Sequence, residues 1–229
     1  MPPAAKSTSA AAGRSCQVWI IEDHLSIRQL LESFLSLLPG FVVAGSSPDA
    51  APSLGAARAG GIDIVVLDLM IRGDGGIAAL RRFRELPRPP KVLIYSATTT
   101  VHSLQLALTH GAAGYVEKSD SLDELKLALG RVRQGGMHFS SGPSRLLTLL
   151  LRQPARGRER TEETELKVLE KLARGMTIKE AAHELKLSTQ KLYRVRATLM
   201  ERANAHSSQD LTRYAIEVGL VGAQRSDLG

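Results

Sequence analysis

Five side chains have the types and positions to do chemistry together: Glu22 and Asp23 in "IIEDH", Asp68 in "VVLDLM", Ser96 in "LIYSAT" and Lys118 in "GYVEKSD". Each stands at the end of a short run rich in Val, Ile or Leu, the pattern of a buried strand. Carboxylates brought together repel, and each raises the pKa of the others unless a cation intervenes. Oxygen-only ligands with open positions suit Mg²⁺, which takes one or two carboxylates together with phosphate oxygens. A carboxylate beside that ion can attack a phosphoryl group while the metal and a lysine neutralise the equatorial oxygens. Asp68 is then the phosphoryl acceptor, Glu22 and Asp23 are metal ligands, Lys118 is the charge partner, and Ser96 donates to the phosphoryl oxygens. Singly, each residue has a plainer role: Asp23 could cap a helix, and Lys118 could be a solvated surface charge. The set of five at the strand ends points to a site, and the glycines after Asp68 allow a loop close to it.

The elements that must position them follow from hydrophobic period. Residues 17–22, 41–44, 62–67, 91–95 and 113–116 read as buried parallel strands. Helix-period stretches lie between them, such as Ile27, Leu30, Leu31, Phe34 and Leu38, or Leu122, Leu125, Leu129 and Val132. Alternation of the two predicts an α/β doubly wound five-stranded parallel sheet over residues 16–134, whose site lies beyond the carboxyl ends of the strands. Residues 135–160 read as a linker with a short leucine-rich helix at 144–152, docked on either domain or offered to a partner, followed by an arginine run. Residues 161–222 carry no strand pattern and form a small all-α domain, with helices expected at 162–174, 177–185, 188–203 and 208–219. Thr177 and Ser188 are placed as N-caps. Residues 1–15 and 223–229 read as tails, the first disordered.

Composition narrows the class. The single cysteine, Cys16, excludes an intrachain disulfide, and no apolar run reaches the ~18 residues of a membrane span, so a cytoplasmic protein is expected. Net charge is +7. Residues 16–130 carry 10 Lys/Arg against 12 Asp/Glu, whereas 156–229 carry 14 against 11. An acidic first part and a basic second part suggest two domains with different partners. The sequence 188–202, STQKLYRVRATLMER, places Leu192, Val195 and Leu199 on one helical stripe. Gln190, Tyr193 and Arg194 lie opposite, with Lys191 and Arg196 on the flanks. An apolar back and a basic, polar front are what a major-groove reader of double-stranded DNA needs. Alone, this stretch would equally describe a solvated amphipathic helix.

The four motifs in order resemble the receiver domain of two-component response regulators. The second half resembles the LuxR-type helix-turn-helix output domain of the NarL/FixJ type, through Glu165, Val168-Leu169, Gly175, Lys179-Glu180, Ala182, Leu185 and Leu187-Ser188. The resemblance implies a flavodoxin-like receiver phosphorylated at Asp68 by a sensor histidine kinase. It places Mg²⁺ at Glu22, Asp23, Asp68 and the Met70 carbonyl, and a switch at Ser96 and Tyr115. It further implies DNA contacts from Lys179, Ser188, Gln190, Lys191, Tyr193, Arg194 and Arg196. Activation would work through a homodimer or the release of a masked recognition helix. Arg72 stands where the family usually has proline, and Lys191, Leu192, Tyr193 and Val195 depart from its common recognition residues. Three other readings compete: a regulator independent of phosphorylation and controlled by a partner or ligand, an aspartate phosphatase, and a flavin-binding module. The phosphatase would want a second carboxylate where Met70 stands, and no Ser/Thr-rich phosphate loop follows the first strand for a flavin.

Overall fold

A computed structural model describes residues 14–97, 99–151, 158–203 and 205–222. The expected tails, apart from Arg14 and Ser15, and residues 152–157 of the expected linker lie outside the described residues. The first half alternates β1 (Cys16–Ile21), α1 (Leu25–Ser36), β2 (Phe41–Ser47), α2 (Ala51–Arg58), β3 (Ile64–Leu67), α3 (Gly76–Arg84), β4 (Lys91–Ser96), α4 (Val101–Thr109), β5 (Gly114–Glu117) and α5 (Leu122–Arg133). The strands pair in parallel in the order β2-β1-β3-β4-β5, and each of the five expected runs forms one of them. On one face Val18, Ile20, Val66, Leu93 and Val116 pack against Leu31 and Leu35 of α1 and Leu125 and Leu129 of α5. On the other, Val65, Leu67 and Ile94 meet Leu54 of α2, Leu80 and Phe83 of α3 and Leu104 of α4. Strands buried on both faces explain why these segments read as continuous apolar runs.

One expectation needs correction. The sheet has six strands, because β6 (His138–Phe139) pairs in parallel with β5. A two-residue strand leaves no periodic trace. It is held by Ser140 N–H donating to the Tyr115 carbonyl at 2.9 Å and by the buried His138 ring, whose Nε2 lies 2.7 Å from Glu124 Oε1. Then α6 (Ser141–Leu151) packs on α4 and β5 through Leu146, Leu147 and Leu150, so the leucine-rich helix docks on the first domain. Leu149 and Leu151 remain exposed.

The second half holds α7 (Arg158–Ala173), α8 (Ile178–Glu184), α9 (Thr189–Arg202) and α10 (Ser208–Glu217). The Thr177 and Ser188 hydroxyls accept from the Glu180 and Lys191 N–H groups, so both expected N-caps are in place. The turn between α8 and α9 closes with Lys186 at φ 54°. Leu187 N–H donates to Ala182 O and Lys186 N–H to His183 O, a Schellman ending that does without the usual glycine.

The helical half packs on the loop after β3. Val218, Leu220 and Val221 share a core with Leu69, Ile71 and Ile77. Ile77 N–H donates to Gly219 O at 2.9 Å, and Gly222 N–H donates to Gly73 O at 3.1 Å. The two chain segments approach so closely that a Cβ on Gly222 would lie 2.4 Å from Gly73 O. The His102 ring stacks on Tyr214 with centroids 5.9 Å apart, and Arg174 lies 3.6 Å from Asp74. A cavity of about 440 Å³ bounded by Ile77, Leu106, Leu166 and Leu220 opens beside this junction, away from the carboxylates.

Two outcomes follow for the junction. Gly222→Ala should loosen it while leaving both halves folded, read as faster amide exchange at Ile77 and Gly222 with an unchanged far-ultraviolet spectrum. His102 supplies a pH dependence: burial, helped by Arg202, lowers its pKa from 6.5 to about 4. Between those values an exposed imidazole takes a proton that the packed one refuses. Docking is therefore undiminished above pH 6.5 and weakens as pH falls toward 4. The protection of the same two amides, relative to their intrinsic exchange rate at each pH, should fall over that window in the wild type and stay flatter in His102→Phe, which keeps a stacking ring without the proton.

Candidate functional site

In the order β2-β1-β3-β4-β5 the chain reverses direction across the sheet between β1 and β3, and ligands favour the crevice beyond the strand ends there. Glu22 and Asp23 follow β1 and Asp68 follows β3, so the carboxylates meet at that switch point. Ser96 closes β4, and Lys118 directly follows β5, its N–H bonded to the Ser96 carbonyl at 2.8 Å. Strand register thus brings residues from four distant stretches of sequence into one cluster.

The geometry is that of charges held out of water. Glu22 and Asp68 are buried, Asp68 at 2% exposure. Lys118 Nζ donates to Asp68 Oδ2 at 2.8 Å and forms an ion pair with Glu22 Oε2 at 2.6 Å, poorly aligned for a hydrogen bond. Met70 N–H donates to Asp68 Oδ1 at 3.1 Å. Burial, and then the Asp68 carboxylate, push the Glu22 pKa up against the opposing pull of Lys118. Burial alone would lower the Lys118 pKa, but the two carboxylates outweigh it and hold the ammonium above its usual value.

His24 belongs to the cluster, and sequence reasoning does not find it. Its Nδ1 lies 3.1 Å from Glu22 Oε1 and 3.0 Å from Asp23 Oδ1. Its one signal is adjacency to Glu22-Asp23 in "IIEDH". It also occupies the N-cap position of α1 that Asp23 might have taken by residue type, without a side-chain capping bond. Arg72 stands out in the sequence as a departure in the loop, but its partner is visible only in three dimensions: Nε lies 3.5 Å from Asp23 Oδ2.

Could these residues hold a divalent cation? Ligand atoms of Glu22, Asp23, His24 and Asp68 lie within 4.8 Å of one another. Asp23 Oδ1 is buried without a hydrogen bond, and Glu22 Oε2 has only its misaligned lysine. Buried carboxylate oxygens with unused lone pairs fit a hard cation such as Mg²⁺. The Ser96 hydroxyl, fully buried, likewise lacks a well-formed hydrogen bond. Tyr115, fully buried between this strand end and α4, has its hydroxyl 3.5 Å from Ser103 Oγ, and burial pushes its pKa up.

The residues of the helical half expected to contact DNA lie mostly in solvent. Leu192 and Leu199 are buried and Val195 half-buried, as the apolar stripe predicts. Lys179, Ser188, Gln190, Lys191 and Arg194 are exposed, Tyr193 is 58% exposed, and Arg196 is half-buried on the flank. The first half does not cover this front, so a masked recognition helix is not what this arrangement contains. Packing instead engages the end of α10 and part of α7. Glu165, buried beneath α9, pairs with Arg202 and ties α7 to the recognition helix.

Known proteins share this organisation. Residues 18–130 match the family described as response regulator receiver domain, and residues 163–215 match the bacterial regulatory proteins of the luxR family. A protein of Pseudomonas aeruginosa described as a transcriptional regulator is 32% identical over 87% of this chain and 96% of its own. The transcriptional regulatory protein UhpA of Escherichia coli is 30% identical over 86% of this chain and 95% of its own. Among solved structures, RcsB of Salmonella enterica bound to promoter P1flhDC with phosphomimetic BeF3⁻ superposes with a TM-score of 0.63. It is 20% identical and covers 90% of this chain and 100% of that one, a likeness of fold. With both halves matched in order and near-full-length relatives at this identity, the chain belongs to the response regulators that join a receiver domain to a LuxR-type helix-turn-helix domain.

Proposed function

We propose that this chain is a DNA-binding transcription regulator controlled by phosphoryl transfer from a sensor histidine kinase to Asp68, acting in the cytoplasm without a dedicated hydrolase activity. The observation that carries the reading is the convergence of Glu22, Asp23, Asp68, Lys118 and Ser96 at one buried strand-end crevice. The working division is a receiver over 16–134, a connector over 135–160 whose β6 and α6 are added to the receiver, and an output domain over 161–222.

Asp68 is the nucleophile. Its Oδ1 is oriented by the Met70 N–H and its Oδ2 by Lys118. Glu22, Asp23, Asp68 and the Met70 carbonyl would hold Mg²⁺, which, when bound, neutralises phosphoryl oxygens that the carboxylates would otherwise repel. Oδ1 or Oδ2 attacks phosphorus, the P–N bond to the kinase histidine breaks, and the electron pair leaves with the imidazole. Lys118 then exchanges its Asp68 partner for a phosphoryl oxygen. The Ser96 hydroxyl donates to another, and Tyr115 follows it as the switch residue. The added charge lies on the strand end that opens the 69–76 loop, and this loop carries the backbone bonds to Gly219 and Gly222. Two copies would then present recognition helices to two half-sites of double-stranded DNA. Lys179, Ser188, Lys191 and Arg196 would serve the phosphates, and Gln190, Tyr193 and Arg194 the base edges.

One observation favours the alternative, a regulator independent of phosphorylation: nitrogens of Arg72 and His24 already lie within 3.5 Å of the Asp23 carboxylate. The two readings separate in one experiment. Incubation with a small phosphodonor and Mg²⁺ should add a single phosphoryl group, by intact mass, to wild type and none to Asp68→Asn. A folded, Mg²⁺-loaded wild type that stays unmodified would establish the alternative instead. For the output domain, Lys191→Ala with Arg194→Ala should weaken binding to a duplex selected by the wild type by about tenfold or more. The salt slope should fall by roughly one for each phosphate-binding cation removed. Phosphorylation should be unaffected, and unchanged DNA binding would remove α9 from the interface.

A further inference from the structure

We propose that Arg72 is a tethered counter-ion for Asp23 that sets the affinity of the carboxylate crevice for a divalent cation, the guanidinium and the metal competing for one carboxylate. The inference rests on the reading of the crevice as a metal site.

The crevice distributes its cations unevenly. Glu22 and Asp68 share Lys118, which is only 12% exposed and fixed by the end of β5. Asp23 has no share in that ammonium. Its Oδ2 faces Arg72 Nε at 3.5 Å, and its Oδ1, which makes no hydrogen bond, faces His24 Nδ1 at 3.0 Å. The Asp23 carboxylate is 7% exposed, whereas the Arg72 side chain is 60% exposed. One partner is held in the crevice and the other reaches in from solvent.

The backbone fixes where Arg72 starts. Ile71, before it, is buried in the shared core, and the Gly73 carbonyl, after it, accepts the Gly222 N–H at 3.1 Å. A guanidinium whose backbone is anchored on both sides acts at high effective concentration on the carboxylate it faces. Because Arg72 is largely in water, its pair with Asp23 is of modest strength. It is strong enough to tax an incoming cation and too weak to exclude a divalent one, and its departure to solvent buries no guanidinium. A permanent positive charge at the mouth also repels the metal before any ligand is exchanged.

The test is calorimetric titration of MgCl2 into the full-length wild type, Arg72→Gln and Arg72→Lys at fixed ionic strength. The Mg²⁺-induced shift of the urea midpoint provides a second readout. Arg72→Gln keeps polarity and the stem as far as Cδ without the charge, and should bind Mg²⁺ about three- to tenfold more tightly. Arg72→Lys should stay within about twofold of the wild type, and the gain in Arg72→Gln should shrink as salt screens the mouth. An Arg72→Gln Kd equal to that of the wild type overturns the proposal and leaves the metal site standing. Absence of Mg²⁺ uptake by all three proteins overturns the metal reading itself, and the proposal with it.

Discussion

The interaction on which the rest of this structure depends is the one ammonium shared by two buried carboxylates. Glu22 and Asp68 occupy the ends of adjacent strands, where neither can be solvated, and an unpaired ion there costs several kcal/mol. Lys118, brought alongside by β5, offsets much of that cost at 2.6 and 2.8 Å. The compensation is incomplete. One lysine faces two carboxylates, the neighbouring Asp23 leans on Arg72 and His24, and oxygens of Glu22, Asp23 and Ser96 lack well-formed hydrogen bonds. The site is neutral enough to fold and unsatisfied enough to bind, the balance that the proposed phosphoryl site requires.

The segment that follows Asp68 joins that site to the helical half. Residues 69–77 touch the carboxylates through Met70 and Arg72 and the helical half through Leu69, Ile71, Gly73 and Ile77. The second set is main-chain bonding and close packing of glycines, a fit that tolerates little displacement. Small movements at Asp68 therefore have a short, stiff route to α10, because close-packed segments change between discrete arrangements more readily than they deform.

Much of this is legible in the sequence because buried parallel strands leave an unambiguous signature. All five expected runs are strands, and Glu22, Asp23, Asp68, Ser96 and Lys118 converge as their strand-end positions require. Both N-caps and the Leu192, Leu199 stripe are readable for the same local reason. What stays hidden depends on through-space neighbours. β6 is too short to show a period. His24 and Arg72 acquire meaning only once the crevice places them on Asp23. Gly219 and Gly222 look like an ordinary helix-end glycine and an ordinary domain-end glycine until the loop from 73 to 76 lies against them. His102 and Tyr214, more than a hundred residues apart, have no sequence pattern that pairs them.

The position of the recognition helix constrains how such a chain can be regulated. Lys191, Tyr193 and Arg194 face solvent while the end of α10 is tied to the loop. The residues proposed to face DNA are therefore left uncovered by the receiver in this arrangement. What the tie restricts is the placement of the helical half relative to the receiver, and with it the freedom of α10 and the distance at which a second copy could present its own α9. A helix that inserts into one major groove has modest affinity alone, and two held one helical turn of DNA apart gain by effective concentration. Under the proposed function, control would act most economically on that spacing: loosening the glycine junction would change the geometry of a second copy without altering a residue proposed to face DNA.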